Sequence, residues 1–151
     1  MSQGSIHISE QEVLEVAQTS GERLHASQHG VGENPLFPVF LKLQEMQVLL
    51  VGGGKVGLEK LQSLLFNSPG TAITVVAEQV IPEFLQLASQ HPHVQLELRK
   101  FREQDLLGID VLILAINDKD TGRAIRNQAK ERRILVNVAD TPELCDFYLG
   151  S

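Results

Sequence analysis

Hydrophobic and polar positions change their rhythm at Pro35. Before it, residues 1–34 are rich in Ser, Gln, His and Gly, and large apolar side chains are sparse. One short helix is predicted there, from about Glu10 to Thr19. Ser9 and Glu12 have the spacing of a capping box, and Ile8 with Val13 supplies the matching hydrophobic staple. "QHGVGEN" then reads as a linker, so residues 1–34 are expected to form a polar, weakly ordered arm, with packing onto the domain as the alternative.

From residue 35 to residue 151 the pattern is regular. "FPVFLKL" reads as a leading strand or extended segment, and "MQVLLVGGG" as a wholly apolar strand that ends in glycines, as expected of a strand covered on both faces. A helix follows, with Leu58, Leu61, Leu64 and Leu65 on one side and "NSPG" as its stop. "TAITVVAE" is the second strand, "IPEFLQLASQ" a helix with Pro82 near its first turn, and "VQLELRKF" the third strand. "GIDVLILAIN", "DKDTGRAIRNQAKERR" and "ILVNVAD" complete the series as strand, helix and strand. Strands alternating with helices predict an α/β fold, a Rossmann-type doubly wound parallel sheet. Right-handed crossovers give it the order 3-2-1-4-5.

Composition narrows the setting. The chain has 151 residues and one cysteine, Cys145, so neither an internal disulfide nor a multi-cysteine metal site is available, and a reducing, cytoplasmic home is expected. No apolar run is long enough to cross a bilayer, and the start carries no signal-peptide pattern, so no membrane partner is expected. A net charge of −6 argues against nucleic acid as a partner. That charge is uneven: residues 1–34 hold five acids against Arg23, leaving the remainder close to neutral and able to gather cations around an anion.

The candidate chemistry starts at the first strand's exit. Gly52, Gly54 and Gly57 satisfy G-x-G-x-x-G between a buried strand and an amphipathic helix. Gly52 permits the tight turn, Gly54 lets backbone approach a pyrophosphate, and Gly57 lets the helix pack closely. Amides at the helix start then face an anion. A P-loop is excluded, because no Gly-Lys-Ser/Thr follows. Glu78 is the one acid placed to accept from ribose hydroxyls, with an exposed loop glutamate as its alternative; no arginine neighbours it in sequence, which favours NAD over NADP. Lys55 lies inside the loop, either on a phosphate or acidic substrate, or solvated.

Ligands of open parallel sheets sit outside the strands' carboxyl ends, which admits Asn117 and Asp118 after strand four, and Asn137 and Asp140 after strand five. On spacing alone, Asp140 or Thr141 caps a helix that has Pro142 at its first position. Lys119, Arg123, Arg126, Lys130 and Arg133 form a basic stripe that reads as a solvated outer face. His91 and His93 lack a third partner, so no metal site is expected, and Cys145 reads as a small buried residue rather than a nucleophile.

The segments "PLFPVFLKLQEMQVLLVGGGKVGLEKLQSLL", "ITVVAEQVIPEF", "DVLILAIND" and "RRILVNVADTPELCDF" closely resemble the precorrin-2 dehydrogenase family, including the dehydrogenase/ferrochelatase module of siroheme synthases. The likeness runs from Pro35 to the last residue. It implies an NAD-binding Rossmann domain over residues 35–151 that oxidises the tetrapyrrole precorrin-2 to sirohydrochlorin in siroheme or cobalamin biosynthesis, with ferrous iron a further substrate where the module is also a ferrochelatase. It implies NAD contacts at Gly52, Gly54, Lys55, Val56, Gly57, Glu78, Gln79, Asn117 and Asp118. It also implies that Asp140 is the catalytic base, in place of the helix cap that spacing favours. Lys55 and Arg99 are further cations offered to the substrate's carboxylates. Family members continue into a region that forms a homodimer and closes the substrate site, whereas this sequence stops at Ser151, so NAD binding is expected ahead of turnover. Two other readings remain at this level: a non-catalytic NAD- or nucleotide-sensing Rossmann module, and an inactive dimerisation partner.

Overall fold

The computed structural model describes residues 35–149. Among the described residues, contacts divide 35–41 from a second, compact unit, Lys42–Leu149. The helix expected over Glu10–Thr19 lies outside the described residues. Residues 35–41 form neither strand nor helix, so "FPVFLKL" is not a strand, and a short 3₁₀ turn at Leu43–Glu45 opens the second unit.

That unit is a five-stranded parallel sheet flanked by helices. Its strands are β1 (Val48–Val51), β2 (Ile73–Ala77), β3 (Val94–Leu98), β4 (Val111–Leu114) and β5 (Leu135–Val138). The helices are α1 (Lys55–Asn67), α2 (Pro82–Ser89) and α3 (Lys119–Glu131). The strand order is β3-β2-β1-β4-β5, as expected. β1 is central, pairing Leu50 with Val75 on one side and with Ile113 on the other. All four of its residues are buried, which explains why its sequence does not alternate.

Alternate side chains feed two cores. Val48, Leu50, Val75 and Ile113 pack with Leu61 and Leu64 of α1 and Phe84 of α2. Leu49, Val51, Leu112, Leu114 and Val136 pack with Ile125 and Ala129 of α3 and with Leu106. The observed strands are shorter than the apolar runs because the runs continue into the turns at the sheet's carboxyl edge. One further ladder bond forms at each tip: Gly52 N–H donates to Val76 O (3.0 Å), Ala115 N–H to Val51 O (2.8 Å), Ala139 N–H to Leu114 O (2.9 Å) and Arg99 N–H to Ala77 O (2.9 Å). These bonds hold all five strand exits level along one rim.

The outer edge of β5 is closed by the chain that follows it. Asp146 Oδ2 accepts from Val136 N–H (2.9 Å) and from Lys130 Nζ of α3 (2.7 Å), while Asp146 N–H donates to Val136 O (2.7 Å). Asn137 Nδ2 donates to Phe147 O (3.0 Å). An unpaired strand edge is thereby capped within the chain.

Candidate functional site at the sheet's carboxyl rim

The glycine loop, Gly52–Gly54, is built by steric necessity at two of its positions. Gly52 has φ +118°, and a Cβ there would overlap the Ala115 carbonyl oxygen. At Gly53 a Cβ would strike Val80 Cγ1 and lie 2.8 Å from Gln79 O. The Gly53 carbonyl also accepts from Ile81 N–H (3.0 Å), so the β2–α2 turn is stapled to the loop. A Cβ on Gly57, on the first turn of α1, would likewise lie 2.5 Å from Gly52 O.

Gly54 is different. A Cβ on it would meet nothing within 4 Å, and its φ of −85° is open to any residue. No neighbour among the described residues requires glycine there, and the space is open to a group that approaches the backbone closely. The helix beside it agrees. Gly54 is the N-cap of α1, no side chain caps that end and no acid lies in its first turn. The first amides of α1 therefore face outward without an internal acceptor. On α3, by contrast, Asp118 accepts from Asp120 N–H (3.0 Å), Thr121 N–H (3.3 Å) and Thr121 Oγ1 (2.9 Å). The Thr121 contacts hold the Asp118 carboxyl below the usual carboxylate range. Its carboxylate is committed to its own helix, whereas Asn117 beside it is exposed.

Around the same rim, Lys55 is exposed and Val56 half-buried at the start of α1, and Glu78 and Gln79 are exposed beyond β2. Glu78 has a neighbour that its local sequence does not show: Lys100, from the tip of β3, places Nζ 4.0 Å from Glu78 Oε1. Arg99 is not available to a substrate. It forms a bidentate pair with Asp105 (2.7 and 2.9 Å), and that guanidinium holds the Asp105 carboxyl below its ordinary value.

Asp140 stands at the exit of β5 with φ +61°, one of two described non-glycine residues in the left-handed region. It is exposed, and its carboxylate takes no hydrogen bond among the described residues. Neither Asp140 nor Thr141 caps the following turn with its side chain; that turn, Pro142–Leu144, is a single 3₁₀ turn led by Pro142. The alternative reading of Asp140 as a helix cap is thereby corrected, because three residues of 3₁₀ geometry direct no amide at it.

What holds Asp140 is Cys145, a role that sequence reasoning missed. Its Sγ accepts from Val138 N–H (3.1 Å) and lies 3.2 Å from Val138 O and 3.4 Å from Thr141 O. The thiol thus grips the loop on both sides of Asp140. Burial pushes its pKa up, against the pull of the Val138 N–H, so it is a structural thiol and not a poised nucleophile. The basic stripe of α3 is also more than a solvated face. Arg126 Nε donates to Leu144 O (3.3 Å) and Lys130 binds Asp146, holding the segment that carries Cys145. Among the described residues no group of three His, Cys, Asp or Glu could hold a metal, and no helix is long and apolar enough to cross a membrane.

A model of an NAD(P)-binding family matches residues 39–151. The chain belongs to that family. Similar curated proteins are the siroheme synthases of Methylococcus capsulatus, 37% identical over 110 residues, and Nitrosomonas eutropha, 36% over 115 residues. These alignments cover 73% and 76% of this chain but 23% and 24% of the relatives, so the chain spans about a quarter of their length. Among solved structures, one described as SirC, precorrin-2 dehydrogenase is similar, with TM-score 0.59 and 30% identity over 77% of this chain and 53% of that one. The likeness to precorrin-2 dehydrogenase and siroheme synthase expected from the sequence is therefore upheld, and the family's description supports an NAD(P) cofactor for this domain.

Proposed function

We propose that this domain serves siroheme biosynthesis by the NAD-dependent oxidation of precorrin-2 to sirohydrochlorin. The observation that carries the reading is Asp140: an exposed carboxylate in a left-handed conformation, with no hydrogen-bond partner among the described residues, on the rim that also bears the glycine loop. Sparsely populated backbone conformations that the surroundings enforce, as the Cys145 contacts do here, cluster at sites of chemistry.

The division of labour follows from the rim. The outward amides of α1 and the open space at Gly54 suit the diphosphate, and Lys55 adds a positive charge beside it. Glu78 and Gln79 suit the adenosine ribose, with Asn117 and Asp118 lining the cleft beyond β4. When bound, NAD accepts the hydride that leaves the tetrapyrrole. The accompanying proton needs a base, a role that suits the exposed carboxylate of Asp140. The same carboxylate suits the removal of pyrrole protons when ferrous iron enters as a substrate.

Calorimetry with NAD tests the first half of the reading. The second half is tested by supplying precorrin-2 and NAD to the protein and to an Asp140→Ala variant, following reduced nicotinamide by absorbance. Turnover lost in the variant with NAD affinity kept supports the reading. Equal rates in both would remove Asp140 from the mechanism, and bound NAD with no rate in either would favour a sensing module.

A further inference from the structure

Glu78 and Lys100 make an exposed ion pair at the tips of neighbouring strands, with Nζ to Oε1 4.0 Å and side chains 82% (Lys100) and 64% (Glu78) exposed. A pair so open to solvent adds little to folding stability. Its position is the notable property. The β2–α2 turn just after Glu78 is stapled to the glycine loop through Gly53, so the pair lies beside the dinucleotide cleft at its ribose end.

We propose that Lys100 is a specificity determinant of that site, set against Glu78 so that NADP is admitted as well as NAD. A lone carboxylate at the tip of β2 accepts from the ribose 2′-hydroxyl and repels a 2′-phosphate. Here an ammonium stands beside the carboxylate, offsets its charge and offers donors that a 2′-phosphate can take. The other cations of this loop differ in availability. Arg99 is held by Asp105 and Glu97, whereas Arg102, two residues after Lys100, is exposed and turns its charge on Asp105. The absence of an arginine next to Glu78 in sequence thus misleads, because the cation arrives from β3.

This inference rests on the NAD-binding reading, and the test separates the two. Dissociation constants for NAD and NADP are measured by calorimetry on the parent protein, Lys100→Gln and Glu78→Gln, with AMP and adenosine 2′,5′-bisphosphate as probes differing only in the 2′-phosphate. The parent should bind both dinucleotides, with NADP within roughly tenfold of NAD. Lys100→Gln should weaken NADP and the bisphosphate roughly tenfold while NAD and AMP move less than about twofold, and Glu78→Gln should shift the ratio the other way. A parent that binds NAD but not NADP, or a Lys100→Gln variant whose NADP to NAD ratio is unchanged, overturns the role of Lys100. A parent that binds neither dinucleotide overturns the NAD reading itself. All three proteins should melt alike, since the pair is exposed.

Discussion

Alanine at Gly54 and alanine at Gly53 should act in opposite ways, although the two residues are adjacent and chemically identical. At Gly54 the new methyl meets no atom within 4 Å, so folding carries no steric penalty. Two small terms remain. Alanine is a poorer N-cap than glycine, which costs about 0.5–1 kcal/mol. Replacing glycine also lowers the entropy of the unfolded chain, which returns about 0.4–1 kcal/mol. The terms nearly cancel, leaving stability within about 1 kcal/mol of the parent, a melting shift of about 4 °C at most for a unit of this size. The methyl nevertheless occupies the space where a diphosphate would approach, so NAD affinity should fall tenfold or more, about 1.4 kcal/mol at least. At Gly53 the methyl would be driven into Val80 and the Gln79 carbonyl, and a backbone atom cannot swing aside as a side-chain end can. Overpacking of that kind costs about 1–3 kcal/mol, so Gly53→Ala should melt several degrees lower. Thermal denaturation with and without saturating NAD reads both effects. If Gly54→Ala bound NAD as tightly as the parent, the open space at residue 54 would not be the diphosphate site, and the assignment of the loop would fail.

Asp140 offers a test of conformation apart from chemistry. Asp140→Ala should lose about 1 kcal/mol of stability, because alanine tolerates φ +61° poorly, whereas Asp140→Gly should melt no lower than the parent; both should abolish precorrin-2 oxidation, and a Gly variant less stable than the Ala variant would contradict the strain. Cys145→Ala leaves the buried Val138 amide without its acceptor and should cost about 1–3 kcal/mol in a urea titration, with Cys145→Ser losing less; no loss in either would mean that the thiol bonds are dispensable. The raised thiol pKa further predicts slow alkylation of native Cys145 near pH 8 and rapid alkylation after denaturation. Asp105 predicts an acid limb: its folded pKa is depressed by Arg99, so the stability it contributes is complete above the ordinary carboxyl value near 4 and disappears as pH falls through the lower folded value. Asp105→Asn should therefore flatten the fall in melting temperature below about pH 4, and an unchanged acid limb would show that the pair is not linked to folding.

Much of the architecture was legible because it is written in local rhythm. Unbroken apolar runs marked strands covered on both faces, the leucines of α1 recurred at helical spacing, and Pro82 stood at the start of α2. The parallel order followed from the alternation of those elements. Strand ends were the weakest part, since residues such as Ala115 and Ile116 are apolar yet lie in the turn beyond β4. The segment "FPVFLKL" has the composition of a strand but joins no sheet among the described residues; composition alone cannot supply a hydrogen-bonding neighbour.

The site divides in the same way. Sequence by itself determined the strands, the helices and the glycine pattern that marks a dinucleotide loop, because each depends on residues within a few positions of one another, and the sheet order followed from the handedness of the crossovers that join them. Only the tertiary structure decided which groups that loop meets. It showed that Gly53 is held by Val80 from the next turn and that Lys100 arrives beside Glu78. It also showed that Arg99 is taken by Asp105, and that Cys145 reaches back to hold the left-handed Asp140. These are relations between strand tips, and a strand tip acquires its neighbours only when the sheet closes. Periodicity reports how one segment turns its own side chains, whereas charge pairing and steric exclusion depend on distance through space.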